Sequence, residues 1–186
     1  MNNSPALFLD RDGVINVDHA YVCRQEDFEF IDGVFDLCRE AKQLGYLIFV
    51  VTNQAGIGRG YYSEKDFLKL TDWMCRIFTS KGIVIDGVYF CPFHSEHGVG
   101  KYKLDSDCRK PKPGMILQAA AEYPVDLKRS LLVGDKKSDI QAGVAAGIGR
   151  NLLYDPTANE RFTTIDGGET DIVSSLTNVI SYLREN

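Results

Sequence analysis

Short, nearly continuous apolar runs separated by longer stretches of helical period leave this chain few architectures. The runs fall at residues 6–9, 47–51, 88–90, 131–133 and 152–154. They do not alternate apolar with polar, which is the pattern of parallel strands covered on both faces. Between them, Val34, Leu37, Cys38, Ala41 and Leu44 keep the helical period, and Gly45 is placed to end that helix. Ser63 and Asp66 form a capping-box pattern ahead of an apolar stripe of Phe67, Leu70, Met74, Ile77 and Phe78. Pro113 suits the first position of a helix through Ile116, Leu117 and Ala120. Ile172, Leu176, Val179, Ile180 and Leu183 mark a terminal helix. This order predicts an α/β fold: a doubly wound, Rossmann-like parallel sheet of about five strands with helices on both faces and right-handed crossovers. At 186 residues, with no repeat and no linker, a single domain over residues 1–186 is expected.

Two segments carry no periodic pattern, residues 16–30 and 92–112. Long loops in compact domains are often functional. Gly56, Gly58 and Gly60 are spaced G-x-G-x-G, not G-x-G-x-x-G, and are read as a tight, mobile loop, not a dinucleotide fingerprint. A net charge of −5 disfavours broad attraction to nucleic acid or to an anionic membrane, so any phosphate must be held by a local cluster of cations. No apolar stretch approaches a membrane span and residues 1–5 lack the features of a signal peptide. The five cysteines are odd in number and scattered, which predicts a reduced, cytoplasmic setting.

The densest chemical signal is Asp10-Arg11-Asp12-Gly13, directly after the first run. Two carboxylates two residues apart can converge on one hard cation, and Mg2+ needs only a few protein oxygens. Asp10 is then placed to attack phosphorus, and Asp12 to protonate the leaving oxygen and later activate water. A solvated turn is the plain alternative for this motif alone. Thr52-Asn53-Gln54 and Gly134-Asp135, however, follow the second and fourth runs, and a parallel sheet brings all three sites to one edge. Asp135 supplies a third carboxylate, and Asp139, one turn on, can orient metal-bound water. Arg109-Lys110-Pro111-Lys112 supplies the cations, a lysine for the transferring group and an arginine for a second anionic group.

These segments resemble the four motifs of the haloacid-dehalogenase superfamily. Within it the chain is similar to the D-glycero-D-manno-heptose-1,7-bisphosphate phosphatases and to their relatives, the histidinol-phosphate phosphatases. The likeness runs from about Leu7 to Tyr154 through LFLDRDGVIN, DHAYV, FEFIDGV, VVTNQAGIGRG, YFCPFH, CRKPKPGM and LLVGDKKSDIQAG. It implies Asp10 as nucleophile, Asp12 as general acid and base, and Thr52 and Lys110 as stabilisers of the phosphoryl group. Asp18, His19, Tyr21, Asn53, Gln54, Arg109 and Lys136 are implied as substrate contacts. Mg2+ is implied on Asp10, Asp135 and Asp12, the last through its backbone carbonyl. The resemblance further implies no separate cap domain and a role in making nucleotide-activated heptose for surface glycans.

One feature departs from that pattern. The family often carries a structural zinc on C-x-H and C-x-C just before R-K-P. Here Cys91 and Cys108 remain, but Phe93 and Ser106 replace two ligands. A closed site needs four good ligands, with His94 or His97 and Asp107 or Asp105 as the substitutes on offer. Without zinc, packing alone must hold this loop. The expected substrate is a small sugar phosphate, with a heptose bisphosphate favoured by DHAYV and FEFIDGV. The alternatives are histidinol phosphate or a catalytically silent phosphosugar-binding protein. The chain is expected to act as a monomer, without nucleic acid or membrane partners.

Overall fold

The computed structural model describes residues 3–185. All five expected runs are strands: β1 (Ala6–Leu9), β2 (Leu47–Asn53), β3 (Gly87–Cys91), β4 (Leu131–Gly134) and β5 (Arg150–Tyr154). Two further strands follow, β6 (Phe162–Ile165) and β7 (Gly168–Val173), so the sheet has seven strands instead of about five. Asp166 and Gly167 join them with positive φ angles of 51° and 84°. That is the two-residue Asp-Gly turn whose twist suits a hairpin. Ile172 therefore lies in β7, paired with Leu153, and not in the terminal helix expected to include it.

The strand order is β3-β2-β1-β4-β5-β7-β6, parallel throughout except for the antiparallel β6–β7 hairpin. The α/β class read from the sequence holds. Helices α1 (Val34–Gln43), α3 (Glu64–Ser80) and α6 (Val179–Arg184) cover one face. Helices α4 (Gly114–Glu122) and α5 (Lys137–Ala146) cover the other. Successive residues of a strand serve opposite cores, as the two-residue period requires. Leu7 and Leu9 pack with Ile48, Val50 and Val133 on the first face. Ala6 and Phe8 pack with Phe49 and Leu132 on the second. Each fully buried Leu or Phe contributes roughly 1.5–3 kcal/mol. The strands most deeply wedged between the two cores are also those that end at the site below.

Ser63 caps α3 with a complete capping box to Asp66. The glycine triplet after β2 is not a loose loop. Residues Ala55–Gly58 form one helical turn, α2, with Gly56 and Gly58 buried. Gly58 has to be glycine, because a Cβ there would stand 2.4 Å from the Pro92 carbonyl oxygen. Among the described residues, no helix is long and apolar enough to cross a membrane.

Candidate active site

The strand order reverses between β1 and β4, and their carboxyl ends open a crevice there. Asp10 begins it. Its backbone N–H donates to the Val133 carbonyl at 3.1 Å, which continues the ladder one residue past β1 and fixes the side chain. The chain then turns tightly, with the N–H groups of Ile15 and Asn16 donating to the Arg11 carbonyl at 2.8 and 3.1 Å. Gly13 sits in this turn at φ +93°, and a Cβ there would lie 2.2 Å from Asp135 Oδ2. Only glycine allows the two motifs to approach so closely.

Asp10, Asp135 and Asp139 each offer an oxygen, and these oxygens all lie within 4.8 Å of one another. Lys110 is buried beside them. Its Nζ stands 2.9 Å from Asp10 Oδ1 and 2.6 Å from Asp139 Oδ1, and it donates to the Val51 carbonyl at 2.8 Å. Asp10 Oδ1 also accepts from the Arg11 N–H at 2.7 Å. Burial is the main force on the Asp10 carboxyl; Lys110 pulls against it, but with Asp139 and Asp135 adding to burial the group is pushed up to about 7. Burial, followed by nearby Asp139, likewise raises Asp135 against the pull of Lys136. Burial alone would lower Lys110, yet Asp10 and Asp139 outweigh it and hold the ammonium above its ordinary value. Asp135 Oδ1 is buried and has no hydrogen-bond partner among the described residues. Clustered carboxylates with an orphaned oxygen and no soft ligands fit a hard divalent cation such as Mg2+. Asp139, already held by Lys110 and by the Lys136 N–H at 2.9 Å, is the least free of the three.

The Asp12 carboxylate stands outside this cluster. Arg11 Nη2 bridges both its oxygens at 2.8 and 2.9 Å, Asn16 Nδ2 donates at 3.1 Å, and Gln54 Nε2 donates at 2.9 Å. Arg11 itself is only 1% exposed. Buried between the rings of Phe28 and Phe67, it also donates to the Val22 carbonyl. Gln54 also donates to Thr52 Oγ1 at 2.8 Å, and its carbonyl accepts from the Tyr62 hydroxyl. Arg11 and Tyr62 escaped the sequence reading. Their chemistry shows only once the fold buries one arginine whole and folds residue 62 back over residue 54.

A cavity of about 480 Å³ opens above these groups and is lined by Asp10, Asp12, Asp18, Tyr21, Thr52, Asn53, Gln54, Arg109, Lys110 and Lys136, and also by Arg59. Besides Gln54, three more of the expected substrate contacts already have partners. Asn53 exchanges two hydrogen bonds with the Lys110 backbone, both at 3.1 Å, and so clamps the basic motif to the end of β2. Asp18 meets Lys136 at 3.1 Å and accepts from the Ala20 N–H. His19 does not line the cavity. The backbone reverses at Ala20 and Tyr21, with φ of 59° and 58°, which turns Tyr21 inward while His19 faces Glu29 at 3.3 Å.

The loop over residues 92–112 is held by more than packing. Cys91, at the end of β3, and Cys108, just before Arg109, are joined as a disulfide, so this pair is not in the reduced state expected. Ser106 Oγ lies 3.1 Å from Cys108 Sγ, and the His94 and His97 rings pack on each other at 4.7 Å. Cys23, Cys38 and Cys75 are free.

A buried aspartate at a doubly wound switch point, with an acidic cluster and a buried lysine around it, matches the site of a hydrolase of the haloacid-dehalogenase class. Residues 107–162 match the family model described as HAD-hydrolase-like. The chain is 64% identical over 148 residues to the D-glycero-alpha-D-manno-heptose-1,7-bisphosphate 7-phosphatase of Burkholderia mallei, covering 80% of this chain and 78% of that one. It is 53% identical over 149 residues to the D-glycero-beta-D-manno-heptose-1,7-bisphosphate 7-phosphatase of Vibrio cholerae, covering 80% of each. The crystal structure of D,D-heptose 1,7-bisphosphate phosphatase from B. bronchiseptica, complexed with magnesium and phosphate, superposes with a TM-score of 0.80 at 30% identity, covering 97% of this chain and 98% of that one. The chain belongs to the D-glycero-D-manno-heptose-1,7-bisphosphate 7-phosphatase family.

Proposed function

We propose that this chain is a Mg2+-dependent phosphatase that removes the 7-phosphate of D-glycero-D-manno-heptose 1,7-bisphosphate, on the way to nucleotide-activated heptose for surface glycans. The observation that carries the chemistry is Asp10, buried at the β1–β4 crevice with Lys110 at 2.9 Å and Asp135 and Asp139 beside it. The choice of substrate rests on the likeness to the Burkholderia and Vibrio enzymes.

Arg11 N–H and Lys110 hold Asp10 Oδ1, which aims the carboxylate and leaves Oδ2 for phosphorus. As the new P–O bond forms, the bond from phosphorus to the sugar oxygen breaks, and Asp12 gives that oxygen a proton. The aspartyl phosphate on Asp10 is then cleaved by water, whose proton Asp12 takes back. Arg11, Asn16 and Gln54 hold the Asp12 carboxyl in place for both halves. Lys110, with Thr52, offsets charge on the transferring oxygens. Asp10 and Asp135, with the Asp12 carbonyl, would hold Mg2+, which neutralises the carboxylates and the phosphoryl oxygens when bound. Asp139 keeps Lys110 in place. Gln54, Tyr21, Arg109 and Lys136 line the substrate's side of the cavity.

The proposal extends to one domain over residues 1–186, acting as a monomer in the cytoplasm without nucleic acid or membrane partners. The single sheet supports one domain, and the net charge of −5 disfavours nucleic-acid and membrane partners. The residues 92–112 loop is proposed to work without structural zinc, since Phe93 and Ser106 cannot replace the missing ligands and Cys91 is bonded to Cys108. Phosphate release with Mg2+ from both anomers of the heptose bisphosphate and from histidinol phosphate tests the reading. Heptose bisphosphate should win by at least about tenfold in kcat/KM, which is ~1.4 kcal/mol of transition-state binding. Preference for histidinol phosphate would replace it.

A further inference from the structure

Of the cations lining the cavity, Lys110 is committed to Asp10 and Asp139, and Lys136 to Asp18 with Asp135 nearby. Two guanidinium groups remain, Arg59 and Arg109. Arg11, Arg39, Arg76, Arg150 and Arg184 each meet a carboxylate. Neither Arg59 nor Arg109 forms an ion pair among the described residues, although the chain carries five more acids than bases. Arg109 Nη1 reaches only the Phe93 carbonyl, at 3.3 Å. Arg59 Nε is shut away from solvent with no hydrogen-bond partner among the described residues. A guanidinium partly buried without a counter-charge is costly, and an anion entering the cavity that it lines supplies that counter-charge.

Both arginines are held in place before any ligand arrives. Arg59 ends α2, with its N–H on the Ala55 carbonyl at 2.9 Å. That turn is wedged against the loop that carries Arg109, because the Val99 N–H donates to the Gly58 carbonyl at 2.8 Å and Gly58 packs on the Pro92 carbonyl. The charges also feel each other: burial first, and then Arg59, keep the Arg109 guanidinium below its ordinary value. Two like charges lining one cavity without a counterion form a receptor for a doubly charged anion.

We propose that Arg59 is a specificity-determining residue that, together with Arg109, binds the phosphate that is not cleaved. This rests on the bisphosphate reading above. It assigns the second phosphate to a pair of forks and explains how a bisphosphate is preferred over a monophosphate.

Two measurements test it. On the heptose bisphosphate, Arg59→Ala should raise KM by roughly ten- to hundredfold, the worth of one charge-assisted contact, while kcat stays within about threefold. The preference over the matching 7-monophosphate should shrink by the same factor. Arg59→Lys should recover part of it, having the charge without the fork. An equal loss of kcat/KM on both substrates, or no change on either, overturns the assignment. The second arm needs no turnover. With metal chelated, inorganic sulfate should raise the Tm of the wild-type protein by several degrees more than that of Arg59→Ala. If the wild type leaves heptose bisphosphate uncut, the substrate reading fails by itself. The sulfate arm then decides the arginine pair, and equal stabilisation of both proteins refutes it.

Discussion

Replacing Asp10 with asparagine should kill the enzyme and stabilise the metal-free protein, and the two effects have one cause. Burial, against the pull of Lys110, pushes the Asp10 carboxyl from its ordinary 3.8 up to about 7 in the folded chain. An acid whose folded pKa lies above its unfolded value costs stability as pH rises. The cost begins near pH 4 and levels off above pH 7. Three pKa units correspond to roughly 4 kcal/mol at pH 8, and taking half of that for relaxation of the site leaves about 2 kcal/mol. Asparagine cannot ionise, so it escapes this cost. At about 2–4 °C per kcal/mol for a chain of this size, Asp10→Asn in chelator should melt roughly 4–8 °C above wild type at pH 8. The gain should shrink steadily below pH 7 and vanish by about pH 3, where wild-type Asp10 is protonated in both states. Saturating Mg2+ should close the gap from the other side, since it stabilises the carboxylate more than the amide. Thermal melts across pH, with and without Mg2+, read this directly. A variant that melts no higher at pH 8, or whose gain is independent of pH, would refute the crowded, buried carboxylate cluster. Phosphate release within about tenfold of wild type, a barrier change of only ~1.4 kcal/mol, would refute the nucleophile.

Lys110→Met should lower kcat by about 10²–10³ with little change in KM, because its contact strengthens as charge develops on the transferring oxygens; steady-state kinetics showing mainly a KM effect would move Lys110 into ground-state binding. Gly13→Ala puts a Cβ 2.2 Å from Asp135 Oδ2 at a φ of +93°. It should weaken Mg2+ affinity by more than about tenfold, ~1.4 kcal/mol, as measured by Mg2+ titration of activity, and unchanged affinity would mean that Asp135 does not serve the metal.

Much of this site could be read from the sequence because its parts are local. Asp10-x-Asp12-Gly13, Thr52 to Gln54 and Gly134-Asp135 each stand directly after a strand, and a parallel sheet gathers such ends by construction. What remained hidden depends on side chains meeting across long separations. Asp139 secures Lys110 from 29 positions away, and Arg59 joins Arg109 on the cavity wall from 50, with nothing in either stretch to announce the meeting. Arg11 looks like a solvent-facing arginine between two aspartates until Phe28 and Phe67 enclose it. His19 stands away from the cavity for a local reason, since two successive residues of positive φ turn Tyr21 toward it and leave His19 beside Glu29. Strands β6 and β7 were missed for a different reason. Ile172 falls in register with the helical spacing of Leu176 and Val179, and that pattern masked the Asp166-Gly167 hairpin turn.

The covalent intermediate is the claim on which the rest depends. Enzyme turning over heptose bisphosphate radiolabelled at the 7-phosphate can be quenched in acid within one turnover and digested. The label should appear on the peptide containing Asp10, in Mg2+-dependent amounts, and borohydride reduction should convert that aspartate to homoserine. Asp10→Asn should carry no label. Label on another residue, or complete burst-free turnover with none on the protein, would contradict the mechanism.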